Sequence, residues 1–174
     1  FDVFRYLGGL VEQVDANSWC LDPRPISKYE VPEELAKKVR ASILFAGPLV
    51  ARFGKAILPP PGGDTIGRRR IDTHIVALQE LGARISLENT LTFSATKLVG
   101  VPVFLDEASV TGTENAIMAA SLAEGTTIII NAACEPHVQD LCRMLIQMGA
   151  EIDGVGSNRL IIKGAESLNG TDFA

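Results

Sequence analysis

The sequence predicts an α+β (α/β) fold made of repeated units, and two observations carry this prediction. Three amphipathic helices each end in an apolar-Gly-small triplet, namely Leu7-Gly8-Gly9, Leu81-Gly82-Ala83 and Met148-Gly149-Ala150. Glycine ends a helix readily because it adopts positive φ without side-chain strain. Each triplet is followed by two short runs of alternating apolar and polar residues joined by an Asn- or Gly-containing turn. That pattern is typical of a β-hairpin.

A further helix and strand precede the second and third triplets. Helices are predicted over 41–53 and 113–124, leading into strands over 55–58 and 126–130. Both helices are apolar on almost every side, which places them in the interior with the sheets forming an outer wall. The repeating unit is therefore helix, strand, helix, strand, strand. Two units look nearly complete and the first looks truncated, so we expect one domain over residues 1–174.

Composition excludes several classes of function. The chain has 174 residues, 47% of them hydrophobic, and a formal net charge of −5. An acidic chain has little general affinity for nucleic acid or for an anionic membrane. No apolar run approaches the roughly 20 residues that span a bilayer. Three cysteines, an odd number, favour a reduced cytoplasmic compartment over a disulfide framework.

The stretch from Pro59 to His74 departs from the repeat. Three prolines and two glycines predict a stiff exposed loop, which then presents Asp64 and the consecutive arginines Arg68, Arg69 and Arg70. Arginine binds phosphate bidentately, and a helix beginning near Asp72 would add its positive amino-terminal end. From residue types alone, an anion-binding loop and a solvated basic loop both remain open.

Several motifs together resemble one enzyme family, the UDP-N-acetylglucosamine 1-carboxyvinyltransferases. The resemblance spans essentially the whole chain, in order. It is carried by Arg40-Ala41-Ser42, Gly47-Pro48-Leu49-Val50-Ala51-Arg52-Phe53-Gly54, Pro61-Gly62-Gly63 with Thr65-Ile66-Gly67, Leu122-Ala123-Glu124-Gly125-Thr126-Thr127, Asn131-Ala132-Ala133 and Glu135-Pro136.

The resemblance implies a fold and a reaction. The fold is the enolpyruvyl transferase domain, in which repeated βαβαββ units form sheets that surround buried inner helices. The reaction transfers the enolpyruvyl group of phosphoenolpyruvate to the 3-hydroxyl of UDP-N-acetylglucosamine and releases phosphate, through a tetrahedral intermediate. No metal and no organic cofactor is implied. The chemistry requires an acid, cations for phosphate and carboxylate, and a loop that closes over the substrates.

The loop residues carry over by position. Asp64 stands where most family members have the cysteine that acts as general acid, and some members have aspartate there. Arg69 matches a loop arginine that contacts substrate, and Arg40 matches an arginine on the UDP-sugar side. Arg70, Ile71, Asp72 and Thr73 complete the segment that lines the nucleotide, although the common pattern has a small residue for Arg68 and proline for Arg70.

A second segment, from Asp106 to Thr113, matches the loop that binds the nucleotide diphosphate. Glu107, Ala108, Ser109 and Val110 are its implied contact residues. Glu107 replaces a lysine of the common pattern, and a carboxylate would repel diphosphate. Either Arg68 or Arg70 compensates this change, or Glu107 turns outward as a surface residue.

Six other residues are given structural interpretations. We place His74 on a helix surface in preference to the nucleotide site, and we place Trp19 and Cys20 in the core. Cys134, His137 and Cys142 lack the paired spacing of a metal site.

The resemblance also implies parts beyond this chain. Family members begin with a short segment bearing a Lys-Asn pair that binds phosphoenolpyruvate, and they have a second domain that completes the active site. We therefore expect weak turnover or none from residues 1–174 alone. Two alternative functions stay open, namely the shikimate-pathway enolpyruvyl transferase and a non-catalytic UDP-sugar-binding homologue.

Overall fold

The computed structural model describes residues 1–62 and 70–174, arranged as three related units. Asp64, Arg68 and Arg69 therefore lie outside the described residues. The first unit consists of α1 (Asp2–Leu7), β1 (Leu10–Gln13) and β2 (Trp19–Asp22), and a short helix, α2 (Glu33–Ala36), links it to the second.

The second and third units follow the same order. The second comprises a 3-10 helix (Arg40–Phe45), α3 (Ala46–Phe53), β3 (Lys55–Leu58), α4 (Asp72–Glu80), β4 (Arg84–Leu87) and β5 (Leu91–Ser94). The third comprises β6 (Pro102–Phe104), α5 (Val110–Ala120), β7 (Thr126–Ile130), α6 (Pro136–Gln147), β8 (Glu151–Asp153) and β9 (Arg159–Lys163).

The predicted helix ends and hairpins are confirmed. Gly8, Gly82 and Gly149 have φ values of 112°, 100° and 105°, the left-handed conformation that glycine adopts without strain. After each of them the chain forms an antiparallel hairpin, β1–β2, β4–β5 or β8–β9. The repeat inferred from the sequence is thus a structural repeat.

The sheets extend the hairpins in a common way. In the second unit β3 pairs antiparallel with β5, and in the third unit β7 pairs antiparallel with β9. The third unit has an additional strand, β6, that runs parallel to β7. In the second unit this strand is reduced to one parallel bridge between Glu30 and Ile57. The described part of the first unit has only its two-stranded sheet.

Helix α5 lies in the interior, as predicted, but with different bounds. Seven of its eleven residues are buried. It begins at Val110, where the Ser109 hydroxyl accepts a hydrogen bond from the Gly112 amide at 3.2 Å. It ends at Ala120 and not near 124, because the backbone of Glu124 bonds to Leu98 and Gly100 instead.

The predicted helix over 41–53 divides into two parts. Residues 40–45 form the 3-10 helix and residues 46–53 form α3. Pro48 is the third residue of α3, where a missing N–H costs nothing because first-turn amides have no intrahelical acceptor. One face of α3 is buried through Ala46, Leu49 and Val50.

The other face of α3 borders an apolar groove. The groove has a volume of about 570 Å³ and is lined by side chains from the 3-10 helix and four α-helices, including Phe4, Pro48, Phe53, Met118 and Leu141. The β1–β2 hairpin beside α1 is exposed along most of its length.

The prediction that Trp19 and Cys20 belong to the core is wrong. Both are exposed, and Trp19 contacts the ring of Phe1 with centroids 4.5 Å apart. In contrast to β3 and β5, the β2 strand has no third strand or inner helix among the described residues to cover it. Within 1–62 and 70–174, no helix is long and apolar enough to cross a membrane.

Candidate substrate site at the starts of two helices

The amino-terminal ends of α4 and α5 lie side by side. The hydroxyl of Thr73 in α4 donates a 2.8 Å hydrogen bond to Asp106, in the loop before α5. Gly112 in α5 allows this close approach, because a Cβ there would lie 2.7 Å from the Thr73 methyl group. Two segments that are more than thirty residues apart, 70–73 and 106–110, therefore meet at one place.

Arg70 connects these two segments electrostatically. Its exposed guanidinium forms ion pairs with Asp72 and, at 3.4 Å, with Asp106. The hydrogen bond that Arg70 donates to Asp72 raises the pKa of Arg70, and the charges of Asp72, Asp106 and Glu107 raise it further. The charge of Glu107 thus reaches Arg70, while the Glu107 side chain itself is exposed.

Arg40 joins the same cluster from the start of the 3-10 helix. Its Nη2 donates a 2.8 Å hydrogen bond to the backbone oxygen of Arg70. Its guanidinium is half-buried, and its charge helps to lower the pKa of His74. Because Arg40 bonds to the chain just before α4, the 3-10 helix and α4 are held in a fixed relation.

The remaining predicted contact residues differ in exposure. Glu107 and Ala108 are exposed, whereas Ser109, Val110 and Ile71 are half-buried. The Ser109 hydroxyl oxygen caps α5, which leaves its hydrogen available to an acceptor. Val110 and Ile71 pack against the core. Thr73 is buried and directed towards Asp106, so its side chain supports the loop.

The described part of this cluster carries three carboxylates, Asp72, Asp106 and Glu107, against two arginines, Arg40 and Arg70. The amino-terminal ends of two helices add partial positive charge. An anionic ligand here would need Arg70 to turn from the carboxylates towards it. Arg68 and Arg69, outside the described residues, are the nearest further cations in the sequence.

His74 is buried, so its predicted position on a helix surface is wrong. It is 2% exposed, with Nδ1 2.8 Å from the side-chain nitrogen of Asn115 and Nε2 3.2 Å from the Thr111 hydroxyl. Burial, followed by the charge of Arg40, lowers its pKa to about 4.

The prediction failed because the partners of His74 lie on α5, far along the chain. The sequence does contain one signal of this buried pairing. Asn115 is the one amide side chain on a mostly apolar inner helix, and a buried amide requires polar partners.

The cysteines and acidic residues form no metal site in the described part of the chain. No group of three His, Cys, Asp or Glu side chains is close enough there to hold an ion. Cys20 and Cys134 are exposed free thiols, while burial raises the pKa of the Cys142 thiol to about 11.

Comparison with known proteins identifies the family. The sequence profile described as EPSP synthase (3-phosphoshikimate 1-carboxyvinyltransferase) matches residues 1–174. The chain belongs to the EPSP synthase family.

Two solved structures have the same fold as this chain. Their sequence identities to it are low, so they support the fold assignment and nothing further. The enolpyruvyl transferase NikO from Streptomyces tendae has a TM-score of 0.80 at 21% identity, covering 97% of this chain and 40% of that one. An EPSP synthase from Acinetobacter baumannii has a TM-score of 0.72 at 18% identity, covering 97% and 39%.

Within the EPSP synthase family, the chain is similar to curated proteins of one name. It is 64% identical over 170 residues to the UDP-N-acetylglucosamine 1-carboxyvinyltransferase of Treponema denticola. It is 60% identical over 171 residues to the protein of the same name from Treponema pallidum. In both cases the match covers 98% of this chain but 40% of the relative. The chain thus spans about two fifths of the length of these relatives.

Proposed function

We propose that this chain is part of an enzyme that transfers the enolpyruvyl group of phosphoenolpyruvate to the 3-hydroxyl of UDP-N-acetylglucosamine. The observation that carries the proposal is the meeting of segments 70–73 and 106–110 at the starts of α4 and α5, with Arg40 and Arg70 beside them. Amide groups at the two helix starts, together with Arg40 and Arg70, would bind an anionic ligand once Arg70 turns from Asp72 and Asp106 towards it. High identity to relatives named for this reaction supports the same substrates.

The proposed chemistry assigns roles to residues of both segments. Arg40, Arg69, Arg70, Ile71, Asp72 and Thr73 line one side of the nucleotide sugar, and Glu107, Ala108, Ser109 and Val110 line the other. An acid protonates the methylene carbon of phosphoenolpyruvate while the sugar 3-hydroxyl gives up its proton to a base and its oxygen bonds to C2. Loss of a proton from the new methyl group then expels phosphate. Asp64 is the proposed proton donor.

We also propose that the longer protein supplies the missing parts of the first unit. Each of the other two units has an inner helix followed by a strand that pairs antiparallel with the second hairpin strand. The apolar groove and the uncovered β2 strand mark where such a helix and strand would pack. An N-terminal segment of the longer chain is the proposed source, and a second domain would complete the active site.

The cellular role follows from the proposed reaction. Enolpyruvyl transfer to UDP-N-acetylglucosamine is the first committed step of peptidoglycan synthesis, so we propose a cytoplasmic protein of cell-wall biogenesis in a bacterium. No metal or organic cofactor is required by the proposed steps. Phosphoenolpyruvate and UDP-N-acetylglucosamine are the proposed small-molecule partners, with no nucleic acid and no membrane.

Competition binding tests the substrate assignment. Full-length protein should bind labelled UDP-N-acetylglucosamine. Excess unlabelled UDP-N-acetylglucosamine should displace it, and shikimate 3-phosphate should not. Displacement by shikimate 3-phosphate instead would favour the shikimate-pathway reaction. Binding of the UDP-sugar without any reaction of phosphoenolpyruvate would favour a non-catalytic homologue.

A further inference from the structure

The side-chain amide of Asn115 has only one possible orientation. Its oxygen accepts a 2.9 Å hydrogen bond from the backbone amide of Gly47, and its nitrogen donates at 2.8 Å to the backbone oxygen of Ile43. Rotating the amide by 180° would place a donor against the Gly47 N–H and an acceptor against the Ile43 oxygen. Because Asn115 is fully buried, water cannot relieve that mismatch.

The fixed amide determines the tautomer of His74. The second hydrogen on the Asn115 nitrogen is directed at Nδ1 of His74, 2.8 Å away, so Nδ1 must accept. The imidazole is neutral near pH 7 because burial lowers its pKa to about 4. Its single N–H is therefore on Nε2, which faces the Thr111 hydroxyl at 3.2 Å.

The tautomer in turn orients Thr111. Since the Thr111 oxygen accepts from His74, the hydroxyl hydrogen must point to a different acceptor. Thr111 is the second residue of α5, directly after the 107–110 segment, and it is half-buried. At this position the hydroxyl lies in the first turn of α5, where the first backbone N–H groups have no intrahelical acceptor.

We propose that Thr111 is a further ligand-binding residue, which donates its hydroxyl hydrogen to the phosphate oxygens of the UDP-sugar, and that His74 is the residue that positions it. This inference rests on the proposed function. The chain of hydrogen bonds runs from the backbone of Ile43 and Gly47 through Asn115 and His74 to Thr111. It couples the inner helices of both complete units to the site.

Steady-state kinetics of full-length variants test Thr111. Thr111→Val keeps the shape and removes the hydroxyl, so KM for UDP-N-acetylglucosamine should rise about 10-fold or more, as for a hydrogen bond to a charged group. The KM for phosphoenolpyruvate and kcat should change little. Thr111→Ser should stay within about twofold of wild type. An unchanged KM in Thr111→Val would overturn the proposal.

A double-mutant cycle tests whether His74 acts through Thr111. In His74→Asn the new amide oxygen can still accept from Asn115, but nothing reaches Thr111. This variant should raise KM for the UDP-sugar in the wild-type background and add little in the Thr111→Val background. Additive effects would show that His74 does not act through Thr111. His137→Asn, on the exposed face of α6, is the matched control.

The tautomer of His74 can be measured spectroscopically in the wild-type protein, so this test does not depend on the folding of a variant. Long-range ¹H–¹⁵N correlation spectra of the wild-type protein should show His74 with its proton on Nε2, and a proton on Nδ1 would refute the positioning role. The two proposals fail separately. If wild type releases no phosphate from its two substrates, the proposed function fails. If wild type is active and Thr111→Val matches it, only this inference fails.

Discussion

The side-chain oxygen of Asn115 accepts a hydrogen bond from the backbone amide of Gly47 at 2.9 Å, and this bond joins the two inner helices. A Cβ on residue 47 would lie 2.6 Å from the backbone oxygen of Asn115 and 2.8 Å from its side-chain oxygen. The two helices can approach this closely only because Gly47 has no side chain.

Gly47→Ala should therefore destabilise the protein. Pushing α3 away from α5 breaks the Asn115 bond and strains the packing around it, at a cost of about 2 kcal/mol in the free energy of unfolding. Urea unfolding followed by circular dichroism measures the change. Gly170→Ala, where a Cβ would meet nothing within 4 Å, is the control and should be neutral. Equal stability of the two variants would show that the contact between Gly47 and Asn115 can accommodate a methyl group.

The pH dependence of stability should report the burial of His74. The pKa of His74 is about 4 in the folded chain and 6.5 when unfolded, so between these values only the unfolded chain takes up the proton. The free energy of unfolding should fall as pH drops from 6.5 to 4, by roughly 3 kcal/mol from this residue. His74→Asn should lose that part of the slope, and His137→Asn should keep it. Identical slopes in wild type and His74→Asn would contradict this.

Thr127 carries a buried hydroxyl with no hydrogen-bond partner among the described residues. Thr127→Val removes the unpaired group at nearly constant volume, so stability should rise by about 1 kcal/mol. Thermal unfolding compares this variant with Thr126→Val, its exposed neighbour on β7, which should change little. A loss of stability in Thr127→Val would mean that the hydroxyl has a partner.

Arg70 should contribute to ligand binding more than to stability. Its ion pairs with Asp72 and Asp106 are solvent-exposed and contribute little to folding. Arg70→Ala should raise KM for the UDP-sugar about 10-fold, with an almost unchanged melting temperature. Adding Glu107→Lys to Arg70→Ala should recover much of the loss, because the lysine replaces the cation and removes a carboxylate. Failure of the second change to help would argue that Glu107 faces away from the ligand.

The sequence predicted the repeat because its signals are local. Gly8, Gly82 and Gly149 end helices for a reason that lies within one turn of chain, and the hairpins follow within a few residues. The predicted end of α5 near residue 124 is wrong because the backbone of Glu124 forms hydrogen bonds to Leu98 and Gly100. These bonds depend on tertiary structure, which the local sequence does not encode.

The segments that form the candidate site were predictable from the sequence, but the contacts of His74 were not. Motif resemblance pointed to segments 70–73 and 107–110, and the structure brings them together. It could not reveal the pairing of His74 with Asn115 and Thr111, because those partners are 41 and 37 residues away on α5, which tertiary packing brings beside α4. The exposure of Trp19 likewise depends on what covers β2, which local alternation does not encode.

Asp64 lies outside the described residues, and its role remains a prediction from the motif. In the UDP-N-acetylglucosamine 1-carboxyvinyltransferases that the motif resembles, the epoxide fosfomycin alkylates the loop thiolate, and a carboxylate is a poorer nucleophile. The full-length enzyme should keep its activity after incubation with fosfomycin, whereas Asp64→Cys should be inactivated with time. Rapid irreversible inactivation of wild type would rule out Asp64 at the reactive position.

Phosphate release from UDP-N-acetylglucosamine and phosphoenolpyruvate together tests the central proposal most directly. The full-length protein should release phosphate only when both substrates are present, and residues 1–174 alone should release little or none because the proposed site is shared with other parts. Absence of phosphate release by folded full-length protein would contradict the proposed reaction. Normal turnover by residues 1–174 would contradict the shared site.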